Sequence, residues 1–201
     1  VTDIEQERTP DKAAVAAFLQ KYPKAIEALT QKQAAHLIRI CSKQLGLSRE
    51  ELLEQVVTDQ AVFDQCWEAV APLIQREHQN IASMVAGGNI GGKITHRTKK
   101  QQSVWDKQRR EQPATPFFYF KDLSAFRIEE DSFKGLTHLS RSLQQNFSVA
   151  EKKNFYLQVQ PQAKSRYNAI NYFLASSWLV FEIQVKVETD TLDAALAHDI
   201  I

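Results

Sequence analysis

The apolar positions along the chain change period once, near Gly87-Gly88, and that change divides the sequence into two parts. Before it, hydrophobic residues recur every three or four positions, the spacing of helices with one buried face. Thr9-Pro10 supplies an N-cap and a proline at the first helical position, and AAVAAFLQKY continues from it. A second helix follows Thr30, with Ala34, Ala35, Leu37, Ile38 and Cys41 on one side, and stops at Gly46. Ser48 to Glu51 forms a capping box for a short third helix. Thr58-Asp59 opens a long fourth. Its stripe is Val62, Phe63, Cys66, Trp67, Val70, Leu73, Ile74, Ile81, Met84 and Val85, with a bend expected at Pro72.

After the double glycine, alternation with a period of two takes over in short stretches. Lys93 to Thr98 predicts a strand and Lys99 to Gln112 a basic helix ending before Pro113. Phe117-Phe118-Tyr119-Phe120 and Ala125 to Glu129 read as strands. Ser132 caps a helix reaching Asn146, with Phe133, Leu136, Leu139, Leu143 and Phe147 inward. Extended segments follow near 154–160, 167–174 and 178–187, the last two joined at Ser176-Ser177, and Thr189 to Ile201 is an amphipathic helix. Helices around a mixed central β-sheet make an α+β fold, organised as an N-terminal helical region at 1–88 and a second unit at 89–201.

Composition narrows the class. With 201 residues, 43% of them hydrophobic and 24% charged, the chain can bury a core without covalent staples. Cys41 and Cys66 sit at helical spacing among apolar residues and read as core side chains, with no disulfide or zinc pattern. No apolar run has the length of a membrane span, and no signal peptide opens the chain. The first residue is Val1, which suits a piece of a longer protein.

Charge changes the picture locally. The formal net charge is only +1, yet Gly87 to Arg110 carries Lys93, Arg97, Lys99, Lys100, Lys107, Arg109 and Arg110 against the single acid Asp106. Such a block is either a solvated basic face or a site for an anion. Gly87 to Lys93 satisfies G-x-x-x-x-G-K, but Ile94 stands where a P-loop has Ser or Thr, and a helix precedes where a strand should. A P-loop is therefore set aside. Arg97 and Lys99 share a face of an extended segment, and Ser103 and Lys107 share a helix face four residues apart. Together they form a cluster able to hold a triphosphate, in which Arg97 can also stack on a purine.

Two acids complete the chemistry. Asp122 precedes the strand that contains Arg127. Glu182 lies within WLVFEIQVKV, where a charge is costly unless used or paired. Glu182, Gln184 and Lys186 share one face of that strand, which could equally be the wet face of an edge strand. Tyr167 and Asn171 share a face of the preceding segment, and Tyr167 offers a ring for a base.

In this order RTKKQQSVWDK (97–107), DLSAFR (122–127), RYNAIN (166–171) and EIQVKV (182–187) resemble the synthetase domain of the RelA/SpoT alarmone family. The resemblance covers about residues 90 to 201. It implies a magnesium-dependent pyrophosphokinase that moves the β,γ-diphosphate of ATP onto the 3′-hydroxyl of a purine nucleotide. Arg97 and Arg127 would sandwich adenine, and Lys99, Ser103 and Lys107 would hold the ATP phosphates. Asp122 and Glu182 would bind Mg2+, with Glu182 as general base. Tyr167, Asn171, Gln184 and Lys164 would meet the acceptor.

The departures fall on the acceptor side. The family pattern G-Y-x-S-[IL]-H is here Arg166-Tyr167-Asn168-Ala169-Ile170-Asn171, Lys186-Val187 replaces Arg-Thr, and Thr191 falls where an Asn often helps hold the acceptor. They imply a retained donor reaction with a changed acceptor, a guanine or adenine nucleotide or, as in toxin members, the 3′ end of tRNA. A toxin would act in the cytoplasm, delivered within a secreted effector and countered by an antitoxin or immunity protein. The competing class is an inactive nucleotide- or RNA-binding module using the basic block, which leaves Asp122 and Glu182 without a task. His198-Asp199 lacks the further ligands of a hydrolase metal site and reads as part of the last helix.

Overall fold

The computed structural model describes residues 25–87, 92–130, 132, 135, 138, 139, 141–143, 149–154 and 169–187. The helix expected after Pro10, residues 88–91, Lys164, Tyr167 and the terminal helix with His198-Asp199 lie outside the described residues.

Helix α1 spans Ala25–Leu45, and Gly46 ends it with φ 68, a conformation that side chains beyond glycine adopt at a cost. The chain is already helical at Ala25, the first described residue, ahead of the start expected after Thr30. Helix α2 (Arg49–Thr58) has the full capping box: Ser48 Oγ accepts from Glu51 N–H, and the Glu51 carboxylate accepts from Ser48 N–H. Helix α3 spans Gln60–Gly87, started by Asp59, whose carboxylate accepts from Ala61 N–H at 2.8 Å. It contains Pro72. Its buried face is Phe63, Cys66, Trp67, Val70, Ile74, His78, Ile81 and Val85. Met84 is 45% exposed and does not belong to it, whereas His78 does.

Strand β1 (Lys93–Thr98), helix α4 (Gln101–Arg110), strand β2 (Ser124–Glu130), β3 (Val149–Asn154), β4 (Ile170–Ala175) and β5 (Val180–Val187) follow. They form one five-stranded sheet in the order β1-β2-β5-β4-β3. β2 and β5 run parallel and the other neighbours antiparallel, so the sheet is mixed. β5 is the central strand, which removes the edge-strand reading of Glu182. One sheet face, carrying Phe126, Ile128, Ile183 and Val185, packs into the same core as Leu37, Phe63 and Ile74 of the helices. Each such side chain contributes roughly 1.5–3 kcal/mol by leaving water. The opposite face carries Thr95, Arg97, Arg127, Glu182, Gln184 and Lys186, and it remains polar. Gly92 enters β1 with φ 87, where a Cβ would meet Glu129 O at 2.7 Å.

The expected strand at Phe117–Phe120 is instead a 3-10 turn over Phe117–Tyr119. Its aromatic run signals burial, not pairing. Phe117 packs edge-on against Phe63 and Trp67, with ring centroids 5.5 and 5.7 Å apart. The backbone finds side-chain partners instead of a neighbouring strand. Gln33 Nε2 donates to both Phe118 O and Phe120 O at 2.9 Å, and its Oε1 accepts from Val180 N–H at 2.7 Å. Gln108 accepts from Phe117 N–H and donates to Val56 O. Gln33 is fully buried. Gln33→Leu therefore strands three backbone groups and costs about 3–5 kcal/mol, read as a lowered urea midpoint; an unchanged midpoint would show those groups find water. Ser132 accepts from Gly135 N–H as a helix cap would, and Leu139 and Leu143 are buried.

Candidate active site

On the polar face of the sheet a cleft of about 380 Å³ opens between β1, the β1–α4 junction and the middle of the sheet. Arg97, Lys99, Asp122, Arg127, Glu182 and Gln184 line it. Register explains the gathering. Arg97 pairs with Ala125, Ala125 with Glu182, and Arg127 with Gln184, so side chains distant in sequence stand side by side on one face. Lys99 lies just past the end of β1, and its N–H continues the pairing by donating to Leu123 O at 2.9 Å.

Asp122 is bracketed by two lysines. Lys107 Nζ donates to Oδ1 at 2.9 Å and Lys99 Nζ lies 3.0 Å from Oδ2. Helix α4 aims Lys107 there because Val104, Trp105 and Gln108 bury its other faces. The ammonium also sits 4.4 Å from the centre of the Phe120 ring. Ser103 is exposed on the first turn of the same helix and does not line the cleft.

Glu182 is 8% exposed in the middle of β5. Asn171 Nδ2 donates to its Oε1 at 2.6 Å and Gln184 Nε2 to its Oε2 at 3.2 Å. Burial raises the Glu182 carboxyl above the ordinary Glu value, and the nearby Asp122 charge adds to the rise; Gln184, Lys107 and Lys99 oppose it. Two carboxylates close enough to repel, in one cleft, form a donor set of hard oxygens. A divalent cation would relieve that repulsion, and Mg2+ commonly takes one or two carboxylates and completes its shell with phosphates and water. Among the described residues no group of three or more His, Cys, Asp or Glu assembles. The residues fit Mg2+.

A family model described as "Region found in RelA / SpoT proteins" matches residues 96–201. The chain belongs to the RelA/SpoT family. That match takes in every cleft-lining residue named above. Two solved structures are similar to this family member. One is the small alarmone synthetase 1 from Bacillus subtilis, 14% identical, with a TM-score of 0.48, covering 69% of this chain and 78% of that one. The other is a GTP pyrophosphokinase family protein from Streptococcus pneumoniae, 12% identical, with a TM-score of 0.45, covering 69% and 75%. No curated protein matches the sequence. Among the described residues no helix is long and apolar enough to cross a membrane.

The structure thus brings Arg97, Lys99, Asp122, Arg127, Glu182 and Gln184 to one cleft, with Lys107 bonded into it through Asp122 and Asn171 through Glu182. At its margin lies a histidine pair that the sequence reading missed, the buried His78 and the exposed His96. His78 of α3 contacts Ser124 Oγ at 2.8 Å and His96 Nδ1 at 2.9 Å, and its ring stacks on Phe126 at 5.0 Å. Burial, then His96, pushes the His78 pKa down, and the contacts of His78 tie α3 to β1 and β2. The available signal was His78 itself, standing four residues after Ile74 and three before Ile81 on the buried stripe.

Proposed function

We propose that the chain is an ATP-dependent pyrophosphokinase that places the β,γ-diphosphate of ATP on the 3′-hydroxyl of a purine nucleotide. The observation that carries this reading is one cleft in which two repelling carboxylates, Asp122 and Glu182, meet Lys99, Lys107 and two arginines, Arg97 and Arg127. Acids opposite a polyanion are unfavourable in a simple nucleic-acid module but required where a metal–triphosphate complex reacts.

Arg97 and Arg127 stand diagonally on adjacent strands, Arg97 opposite Ala125 and Arg127 opposite Thr95, and their planar guanidinium groups would receive adenine. Lys99 and Lys107 would turn from Asp122 to the phosphates. Asp122 and Glu182 would hold Mg2+, which when bound neutralises charge on the transferring phosphates. Glu182 takes the 3′-hydroxyl proton. The 3′-oxygen then forms a bond to the β-phosphorus in line with the α–β bridging oxygen, the bond from the β-phosphorus to that bridging oxygen breaks, and AMP leaves with the electron pair. Positioning and charge neutralisation would supply most of the acceleration.

Incubation of the chain with γ-labelled ATP and magnesium against GDP, GTP, AMP, ADP and tRNA separately tests the reading. Label on a purine nucleotide with matching AMP release is expected. Label on tRNA alone would move the acceptor class, and no transfer to any acceptor would overturn the enzyme. Lys99→Ala should raise the ATP concentration needed for half-maximal rate by roughly tenfold, the usual worth of one charge-assisted phosphate contact. An unchanged ATP dependence would place the donor phosphates elsewhere.

A further inference from the structure

Gln184 stands between a cleft arginine and the buried carboxylate, and its amide touches both. Arg127 Nη2 donates to Gln184 Oε1 at 3.3 Å, and Gln184 Nε2 donates to Glu182 Oε2 at 3.2 Å. From these contacts we propose that Gln184 is a positioning residue through which Arg127 orients Glu182, so that donor-side occupancy and the base are linked by one side-chain amide.

A guanidinium has only donors and an ionised carboxylate only acceptors. Between them a glutamine amide has one favourable orientation, with oxygen toward Arg127 and nitrogen toward Glu182. The flipped amide would set N–H against guanidinium and oxygen against carboxylate, losing both contacts. Arg127 thereby selects the rotamer in which Gln184 donates to Glu182. Asn171 holds the other carboxylate oxygen at 2.6 Å. Each oxygen of Glu182 thus accepts one N–H, which fixes the plane of the carboxylate and the direction of its remaining lone pairs.

The strand register makes this chain of contacts. Arg127, Gln184 and Asn171 are direct cross-strand partners in β2, β5 and β4, and Glu182 is the next same-face residue along β5. No loop intervenes, so a change at Arg127 reaches Glu182 through strands that the helices hold rigid. In the sequence Gln184 and Asn171 read as acceptor contacts. In the structure both amides donate to Glu182.

The catalytic side of this inference rests on the proposed function; the relay itself is read in the free protein. Its first test is the side-chain amide resonance of Gln184 in a 15N–1H spectrum, with Arg127→Met and Glu182→Gln as the two perturbations. Both variants should move that resonance pair toward the position of a free glutamine amide. An unmoved pair in either variant would overturn the relay. The second test is kinetic, with ATP varied up to saturation. Gln184→Met should lower kcat by on the order of tenfold to a hundredfold while leaving the ATP KM within about twofold, since the lost contact is to the base. Arg127→Met should lower kcat less in the Gln184→Met background than in the native one. A raised KM with native kcat, or strictly independent effects on kcat, would make Gln184 a ligand contact and sink the proposal. Amide shifts as expected in a chain without any transfer activity would overturn the enzyme reading and leave the relay standing.

Discussion

Glu182→Gln loses diphosphate transfer by about a thousandfold, the scale of a general base in phosphoryl chemistry, and at the same time gains stability relative to the native chain as pH rises from about 4 to about 7. The two effects share one cause. Glu182 is buried on the central strand beside Asp122, and both push its carboxyl up. A raised acid is one that the folded chain protonates more readily than the unfolded chain does. Native stability therefore declines as pH climbs from about 4, the ordinary Glu value, through the higher folded value. Glutamine does not titrate, so the variant lacks that decline. Urea unfolding of both chains at either end of that range reads the difference. If the variant's relative stability is flat or falls over the range, Glu182 is not held against its preference, and its place as a charged site residue loses its physical basis.

Asp122→Asn should also abolish transfer, yet it should strengthen binding of metal-free ATP. In the native chain Lys99 and Lys107 both point at this carboxylate, 3.0 and 2.9 Å away, so its single charge partly offsets theirs before ATP arrives. Asparagine leaves two ammonium groups facing each other across a neutral amide. Their mutual repulsion is relieved by a polyphosphate, so the affinity for ATP without magnesium should rise several-fold and fall steeply with salt. Calorimetry with ATP and a chelator at two ionic strengths checks this. Equal affinities for the native chain and the Asp122→Asn variant would mean that the two lysines do not meet the nucleotide.

The sequence made the charged cleft more legible than the packing beneath it. Arg97, Lys99, Asp122, Arg127, Glu182 and Gln184 could be gathered because strand alternation fixes a face, and a charge inside an apolar strand calls for an explanation. What alternation cannot supply is strand order. Glu182 could have faced water on an edge strand, and only the pairing of β5 with both β2 and β4 buries it. The run Phe117–Phe120 misled because every residue is a strong strand former. Its backbone is satisfied by Gln33 and Gln108, two glutamines whose partners lie many residues away and leave no local trace. His78 was readable from its place in a helical stripe, but His96 and Ser124 as its partners were not, since they come from two other elements. Asn171 was read toward the acceptor because it stands where the family has histidine, and the structure turns its amide to Glu182.

The central claim is transfer of an intact diphosphate, and the fate of the β-phosphorus tests it most directly. With ATP labelled at the β-phosphate, magnesium and the accepting nucleotide, label should leave ATP and appear on the acceptor in step with unlabelled AMP, one for one. Formation of labelled ADP, or label retained on the adenine nucleotide while the acceptor gains a single phosphate, would contradict it.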